Sequence, residues 1–283
     1  MKVLLANIED VLREAAARWT LMAYFLLSSI FIIIFAFGVN LDIVDGALAG
    51  ARLFGKDAEV RNPMDIEKLV LGFESGFSAF LYLIGIFLAI FATAHLVPRL
   101  QEKGTADLYL SRPVSRFGLL TSRYIAGLLL AATNLVYLIG SIWLMVIWKT
   151  HVVHPRFLLS GVIILFVVAV LLAFAFLVGV VTSSTAVSIM ATYAIFLFAA
   201  LLSGHERLAA AVSKEWQANV IHGLYWFFPK TAELGQAVVK AVAGGALGER
   251  MPDTLTIPVF GSTLAFGLLC FTLAVVVFQR KEF

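Results

Sequence analysis

The sequence predicts an all-α integral membrane protein: six transmembrane helices, an N-terminal amphipathic interfacial helix, and a short cytoplasmic helix between the second and third spans. Three observations lead there. Hydrophobic residues make up 61% of the 283 and charged ones 14%, against about 45–50% and about 25% in a soluble domain; the mean hydropathy is +0.96. The apolar residues fall in runs long enough to cross a bilayer, which takes roughly 20 residues at about 1.5 Å each. The basic residues collect in alternate connecting segments, the pattern that membrane topology imposes.

Residues 2–18 repeat Leu4, Ile8, Val11, Leu12 and Ala15 at helical spacing, with Glu9, Asp10, Arg13, Glu14 and Arg18 on the other side. That periodicity reads as a helix lying in the interface over residues 1–19 and leading into the first span; packing on protein is the other reading. Spans follow at 21–38, 76–97, 117–148, 157–181, 186–202 and 257–278. The third is long for one crossing and is expected to tilt or extend into water, with Arg123 near its cytoplasmic end. The fourth and fifth are separated only by Thr182, Ser183, Ser184 and Thr185. As one helix they would run about 69 Å at 1.5 Å per residue, so they form a hairpin of two.

With the N-terminus inside, the inner segments hold ten Lys and Arg against six acids, and the loop 98–116 is both short and basic. An even number of spans returns the C-terminus to the cytoplasm, so the chain is expected in the inner (plasma) membrane with both termini cytoplasmic. The net charge of +3 then reports topology and not a nucleic-acid partner. No secretory signal is expected. The lone Cys270 sits in an apolar run and reads as a packing residue. Two outer segments remain: 39–74, of mixed charge, and 203–256, with helical pieces at 206–220 and 231–243. The run Tyr225-Trp226-Phe227-Phe228-Pro229 in the second suits a surface or re-entrant position at headgroup depth. The whole chain reads as one transmembrane domain.

The inner loop after the second span runs Glu102-Lys103-Gly104-Thr105-Ala106-Asp107-Leu108-Tyr109-Leu110-Ser111-Arg112-Pro113-Val114-Ser115-Arg116. It reads as a short helix between Gly104 and Pro113, with Ser111 and Ser115 as N-caps for the long helix that follows. Leu108, Tyr109 and Leu110 make it too apolar to stay bare in cytosol, so lipid headgroups or another protein must cover it. In these residues the chain resembles the ABC-2 type permeases, in the branch of the permease serving nitrous oxide reductase maturation, with a type V exporter-like layout. The distinctive motif covers about fifteen residues, while the layout covers nearly the whole chain. The resemblance implies that this loop is the coupling helix that docks on an ATP-hydrolysing subunit, with Glu102, Gly104, Thr105, Leu108, Tyr109, Leu110, Arg112, Pro113 and Arg116 at or beside the contact. Relatives often carry a more aliphatic run where this chain has Thr105 to Tyr109. The bland reading of the same residues is a helix start with bases near anionic lipid.

No Gly-x-x-x-x-Gly-Lys-[Ser/Thr] stretch is present to cradle phosphates, so ATP and magnesium are expected on a separate cytosolic ABC ATPase and no cofactor on this chain. The resemblance further implies a second permease copy, identical or a related paralogue, and allows a partner protein on the outer side. Inside the spans, Asn134, Ser188 and Thr192 are candidate pathway or helix-interface groups; for Asn134 a hydrogen bond between helices is the leading reading. His151 and His154 lie three apart but have no cysteine or neighbouring carboxylate in sequence, so no metal site is expected. His95 reads as an interfacial residue, and His205 and His222 have no assigned partners. With no paired carboxylates or nucleophile–base set, a membrane enzyme lacks its reagents. The function expected is a permease subunit coupled to ATP hydrolysis, performing export or mechanical transmission. A scaffold or assembly factor without an ATPase is the alternative.

Overall fold

A computed structural model describes residues 19–44, 47–53, 56–58, 64–101, 115–212, 214–244 and 257–281, together with Glu9 and Arg13. The amphipathic helix expected at the N-terminus therefore lies outside the described residues, apart from an exposed i,i+4 ion pair in which Arg13 donates to Glu9 at 2.5 Å.

The chain enters through α1 (Trp19–Gly38). A small antiparallel sheet follows: β1 (Val39–Val44), β2 (Ala47–Leu53), β3 (Lys56–Ala58) and β4 (Met64–Asp65). Strand β2 is central. It pairs with β1 along one edge, Val39 opposite Leu53, and with β3 and β4 along the other. The membrane part is helical as expected, and this sheet between α1 and the next span is an addition to that reading. Strand β1 alternates apolar Val39, Leu41 and Ile43 with polar Asn40 and Asp42, a period-2 signal, whereas β3 and β4 are too short to show one.

Helix α2 (Ile66–Thr93) tightens into 3₁₀ turns at Ala94–Leu96 and Pro98–Gln101. Helices α3 (Arg116–Thr150), α4 (Phe157–Thr182) and α5 (Thr185–Leu202) fall within two residues of the expected spans. Ser115 caps α3, accepting from the Gly118 N–H at 3.1 Å. The α4–α5 hairpin turns on Ser183 in the left-handed region (φ 52°), whose N–H returns to Gly179 O at 2.9 Å, while Ser184 caps α5. Beyond lie α6 (His205–Ala211), α7 (Glu215–Phe227), α8 (Thr231–Ala243) and α9 (Ile257–Arg280). The single helix expected over 206–220 is thus two, broken at Val212.

Five of these helices (α2 with its 3₁₀ extension, α3, α4, α5 and α9) are long and apolar enough to cross a membrane; α1 has a shorter apolar stretch, Met22–Phe37. The chain is a multi-pass membrane protein. Helix α4 is apolar on every side, as suits a helix that meets protein on most sides and lipid on the rest. Ile164, Val168, Leu171, Leu172, Ala175 and Phe176 are almost fully covered, and α4 packs on α2, α3, α5, α8 and α9. Close approach matters at the α4–α9 crossing, where a Cβ on Gly267 would lie 3.1 Å from Val170 Cγ2.

Helix α8, expected only as a piece of an outer segment, is built into this core. Leu234, Ala237, Val238 and Val242, one stripe of the helix, are fully buried against α2 and α4. Its first residue is tied on two sides: Tyr82 donates to Thr231 O at 2.5 Å, and Thr231 Oγ1 donates to Phe196 O at 3.1 Å. Gly235 lets the backbone meet the Tyr82 ring, since a Cβ there would come within 3.1 Å of Cε1.

Candidate functional site

Of the residues expected at the cytosolic contact, Glu102, Gly104, Thr105, Leu108, Tyr109, Leu110, Arg112 and Pro113 lie outside the described residues. Arg116 lies within them, as does Gln101 at the other end of the loop. Both are fastened to one face of the bundle. The Gln101 amide donates through Nε2 to Gly179 O at 2.8 Å and accepts through Oε1 from Ser183 Oγ at 2.8 Å and from Lys281 Nζ at 2.5 Å. The Lys281 ammonium also donates to Val180 O and Ser183 Oγ, both at 2.8 Å. Arg116 Nη1 donates to the carbonyls of Phe278, Gln279 and Lys281 at 3.4, 3.1 and 2.6 Å.

Helix physics explains the arrangement. The last four carbonyls of any helix lack partners within it, and positive charge is favoured there. Here Lys281 covers the end of α4 and Arg116 covers the end of α9. The sequence marks both as bases near a membrane face; the partners come from 101 and 162 to 165 residues away.

On the opposite face, α3 ends at His151, left-handed (φ 57°) and exposed, and the loop to α4 carries His154. His154 Nδ1–H donates to Glu74 Oε2 at 2.7 Å. Glu74 is only 1% exposed, and its Oε1 has no hydrogen-bond partner among the described residues. The expectation that His154 is a surface histidine without a nearby carboxylate is therefore corrected: the fold brings one from 80 residues earlier. Among the described residues no three His, Cys, Asp or Glu side chains converge on a metal position.

Within the bundle, Ser28 Oγ donates to Asn134 Oδ1 at 2.9 Å, joining α1 to α3, and both residues are buried. Ser29 and Tyr137 hydroxyls meet nearby at 2.9 Å. Asn134 thus makes a helix–helix bond, with its Nδ2 unpartnered among the described residues. Ser188 and Thr192 do not join it. Ser188 Oγ donates to Ala175 O at 2.5 Å across the α4–α5 hairpin, and Thr192 Oγ1 to Ser188 O at 2.7 Å.

The α7–α8 turn, singled out in sequence for its aromatic run, forms a further cluster around Lys230, which sequence reasoning missed. Trp226 and Phe227 stay exposed, whereas Pro229 and Lys230 are buried. The Lys230 N–H donates to Thr263 Oγ1 at 3.0 Å. Its ammonium donates to Phe228 O at 3.1 Å and to Tyr225 O, and lies 3.8 Å from the Tyr225 ring centroid. The ring itself stacks on His205 at 3.7 Å, and His205 meets His222 at 5.3 Å. Burial pulls Lys230 down from 10.5 to about 8, against the attraction of Glu233. Burial, then the Glu233 carboxylate, pushes Tyr225 up to about 12. Between pH 8 and 10 the unfolded chain keeps a Lys230 proton that the folded chain sheds, so stability rises with pH; above 10, ionisation of the tyrosine in the unfolded chain reverses the trend. Measured against Lys230→Met, the wild-type thermal midpoint in detergent is expected to climb from about pH 8 to about 10. A difference between wild type and Lys230→Met that does not grow across this window contradicts the assignment.

Compared with known protein families, residues 11–283 match the one described as ABC-2 family transporter protein. No curated protein matches the chain.

Proposed function

We propose that this chain, which belongs to the ABC-2 transporter family, is the six-spanning permease subunit of an ATP-binding-cassette system whose separate ATPase grips the loop 102–114. Members of the family are non-catalytic membrane subunits and work with a partner ATPase. The observation that carries the finer reading is the anchoring of both ends of that loop, Gln101 and Arg116, onto α4 and α9 on one face. The anchoring gives a push on the loop a path into both helices.

In this reading α1 completes six spans, both termini are cytoplasmic, and Glu102, Gly104, Thr105, Leu108, Tyr109, Leu110, Arg112, Pro113 and Arg116 form or flank the contact. ATP and magnesium bind the ATPase, and a second permease copy completes the assembly. The sheet and α6–α8 then face outward, where an extracytoplasmic partner has a surface to engage. The resemblance to the nitrous oxide reductase maturation permease favours such a partner. The apolar interior fits a lipidic or amphiphilic cargo, or transmission of force without cargo.

The double variant Leu108→Asp/Leu110→Asp tests the contact. Charges at an apolar hot spot cost at least about 2 kcal/mol, or about 30-fold in affinity. Copurification of the ATPase from native membrane is expected to be lost. If the ATPase still copurifies at wild-type yield and rate, the coupling assignment fails. If wild-type protein brings down no ATPase at all, the scaffold reading replaces it.

A further inference from the structure

We propose that Lys281, immediately beyond the last turn of α9, is the clamp that carries displacement of the 102–114 loop into the α4–α5 hairpin and α9. The proposal rests on the coupling role of that loop. One residue holds both of the loop's ends. Through its side chain Lys281 holds the leading end, donating to Gln101 Oε1 at 2.5 Å; through its backbone carbonyl it holds the trailing end, accepting from Arg116 at 2.6 Å.

The same ammonium donates to Val180 O and Ser183 Oγ, so all three of its protons are committed. Those last two acceptors lie at the end of α4 and in the left-handed turn before α5. Gln101 reinforces the link, since its Nε2 reaches Gly179 O beside them. Arg116 binds three carbonyls at the end of α9, so a shift at position 116 pulls on the segment that holds Lys281.

A lysine serving only as a helix cap needs the α4 carbonyls alone. A lysine serving only to meet lipid headgroups points away from the protein. Lys281 does neither: it joins the loop, the hairpin and the end of α9. Packing stiffens the same connection. Glycine at 179 leaves room for Pro98, whose ring atoms lie 3.2 and 3.3 Å from where a Cβ would be, so the 3₁₀ turn leading to Gln101 sits directly on α4.

The test uses the permease–ATPase complex in nanodiscs, with Cys270→Ala and spin labels at Ser111→Cys and Met190→Cys, and a second pair at Met190→Cys and Trp148→Cys. Distances are read with and without ATP, magnesium and vanadate. In the otherwise unaltered protein, nucleotide is expected to shift Met190 relative to Trp148 while the loop moves. In Lys281→Met the ATPase still copurifies, yet the Met190–Trp148 shift is lost and the Ser111–Met190 distance changes instead, because the loop slides past the hairpin. Lys281→Arg, which keeps cation and donors, restores the coupled shift. Should Lys281→Met not yield folded protein, Gln101→Leu removes the same contact from the other side and is read identically. A Lys281→Met hairpin that moves as in the parent, or a parent hairpin that stays still, overturns the clamp. Failure of the coupling reading shows separately, as retention of the ATPase by Leu108→Asp/Leu110→Asp.

Discussion

His154→Leu is expected to destabilise the folded chain by about 1–3 kcal/mol, the usual cost of leaving a buried hydrogen-bonding group without its partner. Glu74 is nearly inaccessible, Oε2 is held by His154 at 2.7 Å, and Oε1 has no partner among the described residues. Without the imidazole, both carboxylate oxygens are orphaned at the edge of an apolar layer, beside Phe73 and Phe77, which stack on each other at 5.6 Å. Adding Glu74→Leu to His154→Leu is expected to recover most of the loss, since replacing both members of a buried pair by apolar groups is often nearly neutral. Glu74→Gln alone costs less, because its amide oxygen still accepts from Nδ1–H. Equilibrium unfolding in mixed micelles, run as a double-mutant cycle, measures the coupling. A single variant His154→Leu as stable as the parent shows that the pair contributes nothing.

Gly267→Leu has the second large effect, a loss of about 3 kcal/mol, at the upper end of what overpacking costs. A Cβ at 267 meets Val170 Cγ2 at 3.1 Å and Val170 Cα at 3.3 Å. A side-chain methyl can rotate away, but a backbone Cα cannot, so α9 must lift from α4 along a seam that also buries Phe266, Cys270 and Ala274. Small residues at helix crossings serve this purpose in membranes, where lipid provides no hydrophobic drive to hold helices together. Gly140→Leu is the control. Nothing lies within 4 Å of a Cβ there, and the position opens on an apolar groove of about 300 Å³ between α3 and α4, lined by Leu135, Ile139, Leu158 and Leu165 among others. A leucine at 140 fills space and is expected to leave the melting midpoint unchanged. Equal losses at 140 and 267 show that added side-chain volume in general, and not the crossing, sets the effect.

The helices were largely legible because their signals are local. The starts of α3 and α5 lie one residue from the expected positions, each set by a serine cap, Ser115 and Ser184. Helix α2 is the exception: it begins at Ile66, ten residues ahead of the expected 76. Glu67, Lys68 and Glu74 interrupt the apolar run there, and nothing near Glu74 in sequence shows that it is matched by His154, 80 residues away. The sheet between α1 and α2 was hidden for a related reason. Strand β2 pairs with three others, and pairing is a property of segments in combination, not of any one of them.

The candidate site divides the same way. Leu108, Tyr109 and Leu110 stand out in the sequence because an apolar run in a short, basic loop is unusual, while Gln101 and Lys281 look like ordinary interfacial residues. Lys230 likewise reads as one more base in an outer segment until the turn after Pro229 folds inward, where Tyr82, Phe196 and Thr263 meet it or its neighbour Thr231.

By itself the sequence determined that the chain lives in a membrane and which stretches are apolar enough to cross it, and it singled out the loop proposed to meet a partner. Those follow from hydropathy, charge and capping, which act over a few residues. Only the tertiary structure decided which polar groups answer one another: Glu74 with His154, Ser28 with Asn134, and Lys281 with both ends of the loop. In an apolar medium a polar group is tolerated only beside a partner, and which partner reaches it depends on how the helices pack.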